Sequence, residues 1–239
     1  MSGLTVLPCD ALAVGPHPDD VEIAAAGTLL QLRDAGLSVG IVDCTRGEKG
    51  SRGTQQDRDA EAAAAARLLG CAFRANLGLP DAGLRADDER GCDLLVAALR
   101  QARPKLLLGP LAHDMHPDHV AAAKLLERAW FLAGLVNHQP QLGAPWRPRL
   151  FLRYPGNRQP TPTLVVDVSA VAARKAEVVR CYRSQTNPPE RGHLVLGLDV
   201  VERVEVRDHF HGASIGVARG EAFVHDGPLP LAGLAALLR

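Results

Sequence analysis

ALAVGPHPDDVEIAAAGTLLQLRDAGLSVGIVDC, residues 11–44, reads as strand, helix and strand in turn. Ala11–Pro16 is a short, mostly apolar run closed by Gly and Pro, the pattern of a buried strand. Asp19–Ala35 carries Val21, Ile23, Leu29, Leu30 and Leu32, and Gly36 closes it as a helix C-terminus is commonly closed. Ser38–Cys44 (SVGIVDC) is again apolar and β-branched. The alternation continues outward. Thr45–Thr54 is a Gly- and charge-rich loop, and Gln56–Leu69 an Ala-rich helix stopped by Gly70. Ala72–Leu77 is a third strand, Glu89–Ala102 a helix, Lys105–Gly109 (KLLLG) a fourth strand and Asp118–Leu135 a helix.

Strands alternating with helices predict an α/β fold, a Rossmann-like, mostly parallel sheet with helices on both faces. Beyond Leu135 the pattern weakens. Asn137–Pro148 and Tyr154–Pro162 are Pro-rich loops, Leu164–Val168 a strand and Ala170–Tyr182 a helix, with strands expected at Val200–Val206 and Ser214–Val217. No linker or repeat interrupts the chain. A single domain over residues 1–239 is expected, with a core at 1–135 and a strand-containing C-terminal subregion at 136–239 that completes the sheet and cleft.

Composition narrows the function. Lys plus Arg and Asp plus Glu are 27 each, so no bulk charge draws this chain to nucleic acid or a membrane surface. No apolar run approaches the ~20 residues that span a bilayer. Met1–Pro8 lacks a basic stretch followed by a long apolar one, so no signal peptide is expected. Cys9, Cys44, Cys71, Cys92 and Cys181 are an odd set with no C-x-x-C, which reads as reduced thiols in a cytoplasmic protein.

One pattern occurs twice. His17-Pro18-Asp19-Asp20-Val21 follows the first strand and His116-Pro117-Asp118-His119-Val120 the fourth. Pro and Asp suit the start of a helix. Helix capping accounts for neither the leading His nor Asp20 and His119 in fourth place. In open parallel sheets, ligands bind beyond the carboxyl ends of the strands at the point where strand order reverses. Strands one and four flank that point in the common order, so the two pentapeptides face one crevice. Two His and one carboxylate with a place for water make a catalytic zinc site. The remaining His and Asp are then free for proton transfer. The spacing leaves open which of His116 and His119 is the ligand. The same donor set also describes a non-haem iron oxygenase, and a non-catalytic binding module would keep the fold alone.

These residues resemble the zinc-dependent PIG-L/LmbE-like deacetylases of N-acetylated sugars. The likeness lies in GPHPDDVEIAAAGTL (15–29), TRGEKGSRGT with its following helix (45–70), NLGLPD (76–81), MHPDHVAAAKLL (115–126), YRSQ (182–185) and IGVARGEAF (215–223). The C-terminal matches are similar to the bacillithiol branch, which deacetylates N-acetylglucosaminyl-malate. The resemblance implies one zinc ion per chain, with iron(II) or another divalent metal as the alternative, held by His17, Asp20 and His119. It implies Asp19 as general base, His116 as the group answering the oxyanion and the leaving amine, and Asp118 as the partner orienting His116. Arg58, Arg52 and Asp81 are the expected substrate contacts, Arg because it grips carboxylates in bidentate fashion. A small N-acetylated amino-sugar substrate and a homo-oligomer are implied, and no nucleic-acid or membrane partner. Met115 stands where bacillithiol-branch members often carry Arg, which removes one handle for an acidic substrate group. Of the other histidines, His113 lies close enough to line the cleft, and His209 and His211 would make an i,i+2 metal-binding pair on a strand. His138, His193 and His225 have no ligand-like spacing.

Overall fold

In the computed structural model, which describes residues 4–50, 52–186 and 199–229, β1 (Ala11–Gly15) is buried at every position. Its side chains alternate between faces, as the pleat requires. Leu12 and Val14 join one apolar cluster, Ala11 and Ala13 the other. Burial on both faces explains why ALAVG contains no polar residue. β2 (Val39–Asp43) divides likewise, Val42 to the first cluster and Val39 and Ile41 to the second. Between them α1 (Asp20–Asp34) lays Ala25, Leu29 and Leu30 on the second cluster.

α2 (Gln55–Leu69) starts at a reciprocal Thr54–Asp57 capping box and stops at Gly70, whose φ of 68° is left-handed. β3 (Phe73–Asn76), α3 (Glu89–Ala102), β4 (Leu106–Pro110) and α4 (Pro117–Ala133) complete the alternation. Next come β5 (Leu150–Tyr154), β6 (Leu164–Asp167), α5 (Ala172–Arg180), α6 (Arg183–Thr186), α7 (Val200–Ser214) and β7 (Gly220–Phe223). The five-stranded sheet runs β3-β2-β1-β4-β5 with every neighbouring pair parallel. Ala13 sits level with Ile41 on one side and Leu108 on the other. The first cluster lies under α3 and α4 through Leu95, Leu99, Leu125 and Leu126. The second lies under α1, α2 and α5 through Leu29, Leu69 and Val178. The α/β class and the two-faced parallel sheet are those expected, and β1 and β4 are neighbours.

The C-terminal part departs from expectation. Val200–Val206, read as a strand for its valines, is the first half of α7, which an Asp199–Glu202 capping box starts. Ser214–Val217 is the end of that helix and a turn, not a strand. His209 and His211 therefore lie about 200° apart round a helix and cannot act as a strand pair. His193 lies outside the described residues. β5 and β7 were not anticipated, because LFLRY is a short run beside Pro-rich loops and GEAF has neither length nor periodicity.

β6 and β7 pair as an antiparallel ribbon, and an Arg153–Val224 bridge hangs it on the sheet edge. A buried charge cluster ties this part to α1. Lys175 Nζ lies 2.6 Å from Asp208 and 2.7 Å from Glu221, and Glu221 accepts from the Gly27 and Thr28 amides at 2.8 and 2.7 Å. Each buried charge is thus paired and hydrogen-bonded, the condition under which such burial is tolerated. No helix among the described residues is long and apolar enough to cross a membrane.

Candidate metal centre

The sheet order puts the carboxyl ends of β1 and β4 side by side, and the repeated pentapeptides meet there. Gly15 turns the chain out of β1, and a Cβ at that position would stand 3.1 Å from the His17 carbonyl oxygen and from Val21. His17 Nδ1 lies 3.1 Å from Asp20 Oδ2, and His119 Nε2 approaches the same oxygen at 3.3 Å. Donor atoms of His17, Asp20 and His119 all fall within 4.8 Å of one another. A second, overlapping group of that compactness is His17, His116 and Asp118. The three rings cluster, with centroids 4.9 Å (His17–His116), 5.5 Å (His17–His119) and 4.8 Å (His116–His119) apart.

His119 is braced from behind. Its Nδ1 sits 3.1 Å from Asp114 Oδ2, which leaves Nε2 facing Asp20. Asp114 also accepts from the His116 amide at 2.8 Å and the Asn157 amide at 2.8 Å. Gly156 makes this contact feasible, because a Cβ there would come within 2.1 Å of the Asp114 carboxylate. A carboxylate on the far nitrogen of an imidazole is the usual support of a metal-binding His. Two imidazoles and a carboxylate, one of the rings so held, fit a zinc-type divalent ion with a place left for water. Asp114 was passed over in the sequence; its position two residues before the second pentapeptide was the one available signal.

Asp19 is the N-cap of α1 at φ 108°, a region where a side-chain-bearing residue is strained, and its side chain caps nothing. Arg58 of α2 engages it, Nη1 to Asp19 Oδ2 at 3.3 Å and Nη2 to the Pro18 carbonyl at 2.6 Å. Burial pushes the Asp19 carboxyl up to about 7 against the pull of Arg58, with the Asp20 charge adding to the rise. On His17 burial opposes the charged form, but the Asp20 hydrogen bond and charge outweigh it and carry the ring to about 9. Burial likewise works against charge on His119, which Asp20 and Asp114 overcome to reach about 10. His116 moves the other way, lowered by burial and then by the charges of His119 and His17.

The remaining expected residues are distributed unevenly. Asp81 is buried against the cluster, its Oδ1 3.1 Å from His17 Nε2 and its Oδ2 accepting from the Lys49 amide at 2.7 Å. The Asp118 carboxylate lies 3.3 Å from His17 Nε2 and accepts from the Ala82 and Leu84 amides at 2.7 and 3.2 Å. Its recorded partners are thus His17 and a loop rather than His116, whose Nδ1 instead accepts from the Asp118 amide. The hydrogen bonds of the Asp118 carboxylate go to two loop amides and His17, and it still shares with His17 and His116 a group whose donor atoms lie within 4.8 Å of one another. Arg58 is buried and engaged with the first pentapeptide, not open to bulk solvent. Arg52 lies on the loop, and its carbonyl accepts from Gln185 at 3.3 Å. Met115 is 70% exposed. Beneath the first pentapeptide lies a network that sequence reasoning missed. Arg74 grips Asp43 through two hydrogen bonds of 2.7 and 2.8 Å and also pairs with Glu22, which accepts from Tyr182 Oη at 2.9 Å.

Comparison with known proteins matches residues 12–130 to a family model described as PIG-L, GlcNAc-PI de-N-acetylase. A 1D-myo-inositol 2-acetamido-2-deoxy-alpha-D-glucopyranoside deacetylase of Streptomyces avermitilis is 30% identical, over 73% of this chain and 82% of its own length. The conserved protein TT1542 of Thermus thermophilus superposes with a TM-score of 0.85 at 40% identity, covering 94% of this chain and 97% of its own. The N,N'-diacetylchitobiose deacetylase of Pyrococcus horikoshii gives 0.78 at 25% identity, covering 92% and 88%.

Proposed function

The chain belongs to the PIG-L family of de-N-acetylases, and from that premise we propose that it hydrolyses the N-acetyl group of an N-acetylglucosamine conjugate with a zinc ion at His17, Asp20 and His119. The observation that carries this reading is the convergence of those three donors within 4.8 Å, with Asp19, the neighbour of Asp20 in the chain, held by Arg58. Membership of a hydrolytic family speaks against the oxygenase and against the non-catalytic module. One zinc-type ion there would lower the pKa of its water and polarise the amide carbonyl.

The protein's own groups then divide the proton work. Asp19 takes a proton from the attacking water as its oxygen bonds to the carbonyl carbon. Arg58 holds that carboxylate in place and keeps the form that accepts the proton favoured. His116, at the mouth of α4 with its Nδ1 accepting from the Asp118 amide, donates a hydrogen bond from Nε2 to the developing oxyanion, and the proton taken by Asp19 passes to the nitrogen as the C–N bond breaks. Acetate and the free amine leave. Asp114 holds the second pentapeptide, and the Asp118–His17 contact ties it to the first.

For the aglycone, the C-terminal motifs support malate. The Streptomyces avermitilis relative, named for an inositol conjugate, and Met115 support inositol as the second reading. A cytoplasmic site of action and a homo-oligomer complete the proposal.

Acetate release and bound metal test it together. Asp19→Ala should retain zinc and lose roughly 10²–10⁴-fold in kcat, whereas His119→Ala should lose the metal with the activity. Full turnover in Asp19→Ala sinks the base, and undiminished zinc in His119→Ala sinks the ligand set. Faster release from the inositol than from the malate conjugate replaces the first aglycone by the second.

A further inference from the structure

A cavity of about 530 Å³ opens beside the candidate metal centre. Asp20 and His119 line it, as do Ile23, Tyr154, Val204 and Phe210, so most of its wall is apolar. Arg203 and Arg207 of α7 also line it. They stand four residues apart on one helix and so share a face. Arg207 is anchored, donating to the Ile23 carbonyl and lying 3.8 Å from Asp208. Arg203 has no side-chain hydrogen bond or ion pair among the described residues. Burial and then the like charge of Arg207 hold its pKa below the ordinary arginine value. A cation in a mostly apolar wall that is paired with no carboxylate, next to a second cation, is at a loss that an anionic ligand would repair.

We propose that Arg203, backed by Arg207, determines specificity by holding a carboxylate on the substrate's aglycone, whose apolar body lies against Ile23 and Phe210. This rests on the deacetylase reading above and assigns that site the part it lacked. Met115 brings no charge, Arg58 is committed to Asp19 and Pro18, and the cations lining this cavity both come from α7. A charge-assisted bond in such surroundings is stronger than one in bulk water.

The probes are two N-acetylglucosaminides of equal chain length, one propyl and one 2-carboxyethyl. Calorimetry of the zinc-loaded Asp19→Ala protein, which turns over too slowly to consume them, gives each dissociation constant. The carboxylated probe should bind more tightly. Adding Arg203→Gln should raise its Kd by roughly ten- to a hundredfold while shifting the propyl probe far less. Arg203→Lys should restore part of the difference and serves as the folded control. No preference in the starting protein, or an equal change for both probes in Arg203→Gln, overturns the subsite. Acetate release by the unmutated enzyme is scored separately. Release without preference removes the subsite and leaves the deacetylase, and preference without release does the reverse.

Discussion

The two H-P-D pentapeptides are nearly the same sequence on two different backbones. In the second, His116 is the N-cap of α4, its ring accepts from the Asp118 amide, and Pro117 opens a regular helix. In the first, the helix begins two places later in the motif, at Asp20, and the cap is Asp19 at φ 108°. The third-position aspartates therefore part company. Asp118 sits within the first helical turn with its carboxylate on two loop amides, whereas Asp19 is strained, uncapped and tied to an arginine. On the proposed mechanism the third-position aspartate is a brace in one motif and the proton acceptor in the other. Repetition in the sequence thus hides a division of labour set by where each helix starts.

Arg58 belongs to the first pentapeptide alone, so its loss should widen the difference most. Arg58→Gln is expected to cut kcat by about 10²-fold, the scale set by misplacing a reacting group by about an ångström. The pH profile should change as well. Asp19 is pushed up by burial and held down by Arg58, and it must be deprotonated to act. Removing the cation therefore moves the acidic limb of kcat to higher pH. An unchanged limb with a fallen kcat would make Arg58 a packing residue only.

Much of this was legible beforehand, and for a physical reason. Residues 11–44 hold two strands buried on both faces and a helix buried nearly all round from Val21 to Leu30, so burial is written directly into their apolar pattern. The two pentapeptides could be read as one site because rare residue types recur there at a fixed spacing, whereas the choice of His119 over His116 rested on the family resemblance alone. What lay hidden depends on contacts between distant segments. Asp114 is recognised only when it is seen behind His119, and Gly156 only when its missing Cβ is seen to make room for Asp114. α7 was misread because its valines outweighed one capping box. Arg203 lies on that misread segment, so the cavity it lines was equally hidden.

The brace of the second pentapeptide can be tested without touching a metal donor. Asp114→Asn keeps the shape and removes the charge behind His119. Partners of this kind are worth about 10–100-fold in metal affinity, so competition with a chelator should show a weakening of that order. The zinc-loaded variant should retain a wild-type pH limb, because Asp114 does not touch Asp19. Affinity equal to the unmutated protein would leave Asp114 as a loop tie through His116 and Asn157.

The smallest effect separates the two backbones most cleanly, because it reverses sign. Replacing Asp19 by Gly or by Ala removes the same carboxylate and the same Arg58 partner. The two variants differ only in how they tolerate φ 108°. Glycine has no Cβ to strain, so Asp19→Gly should be more stable than Asp19→Ala by about 1–3 kcal/mol. At Asp118 the backbone is helical, and the order should invert, Ala exceeding Gly by about 1 kcal/mol. Chemical denaturation of the four variants reads both differences against the same native chain. The same order at both positions would mean that the first pentapeptide relaxes into the geometry of the second once its carboxylate is gone. The strain would then belong to the Asp19–Arg58 pair and not to the Gly15–Asp20 turn.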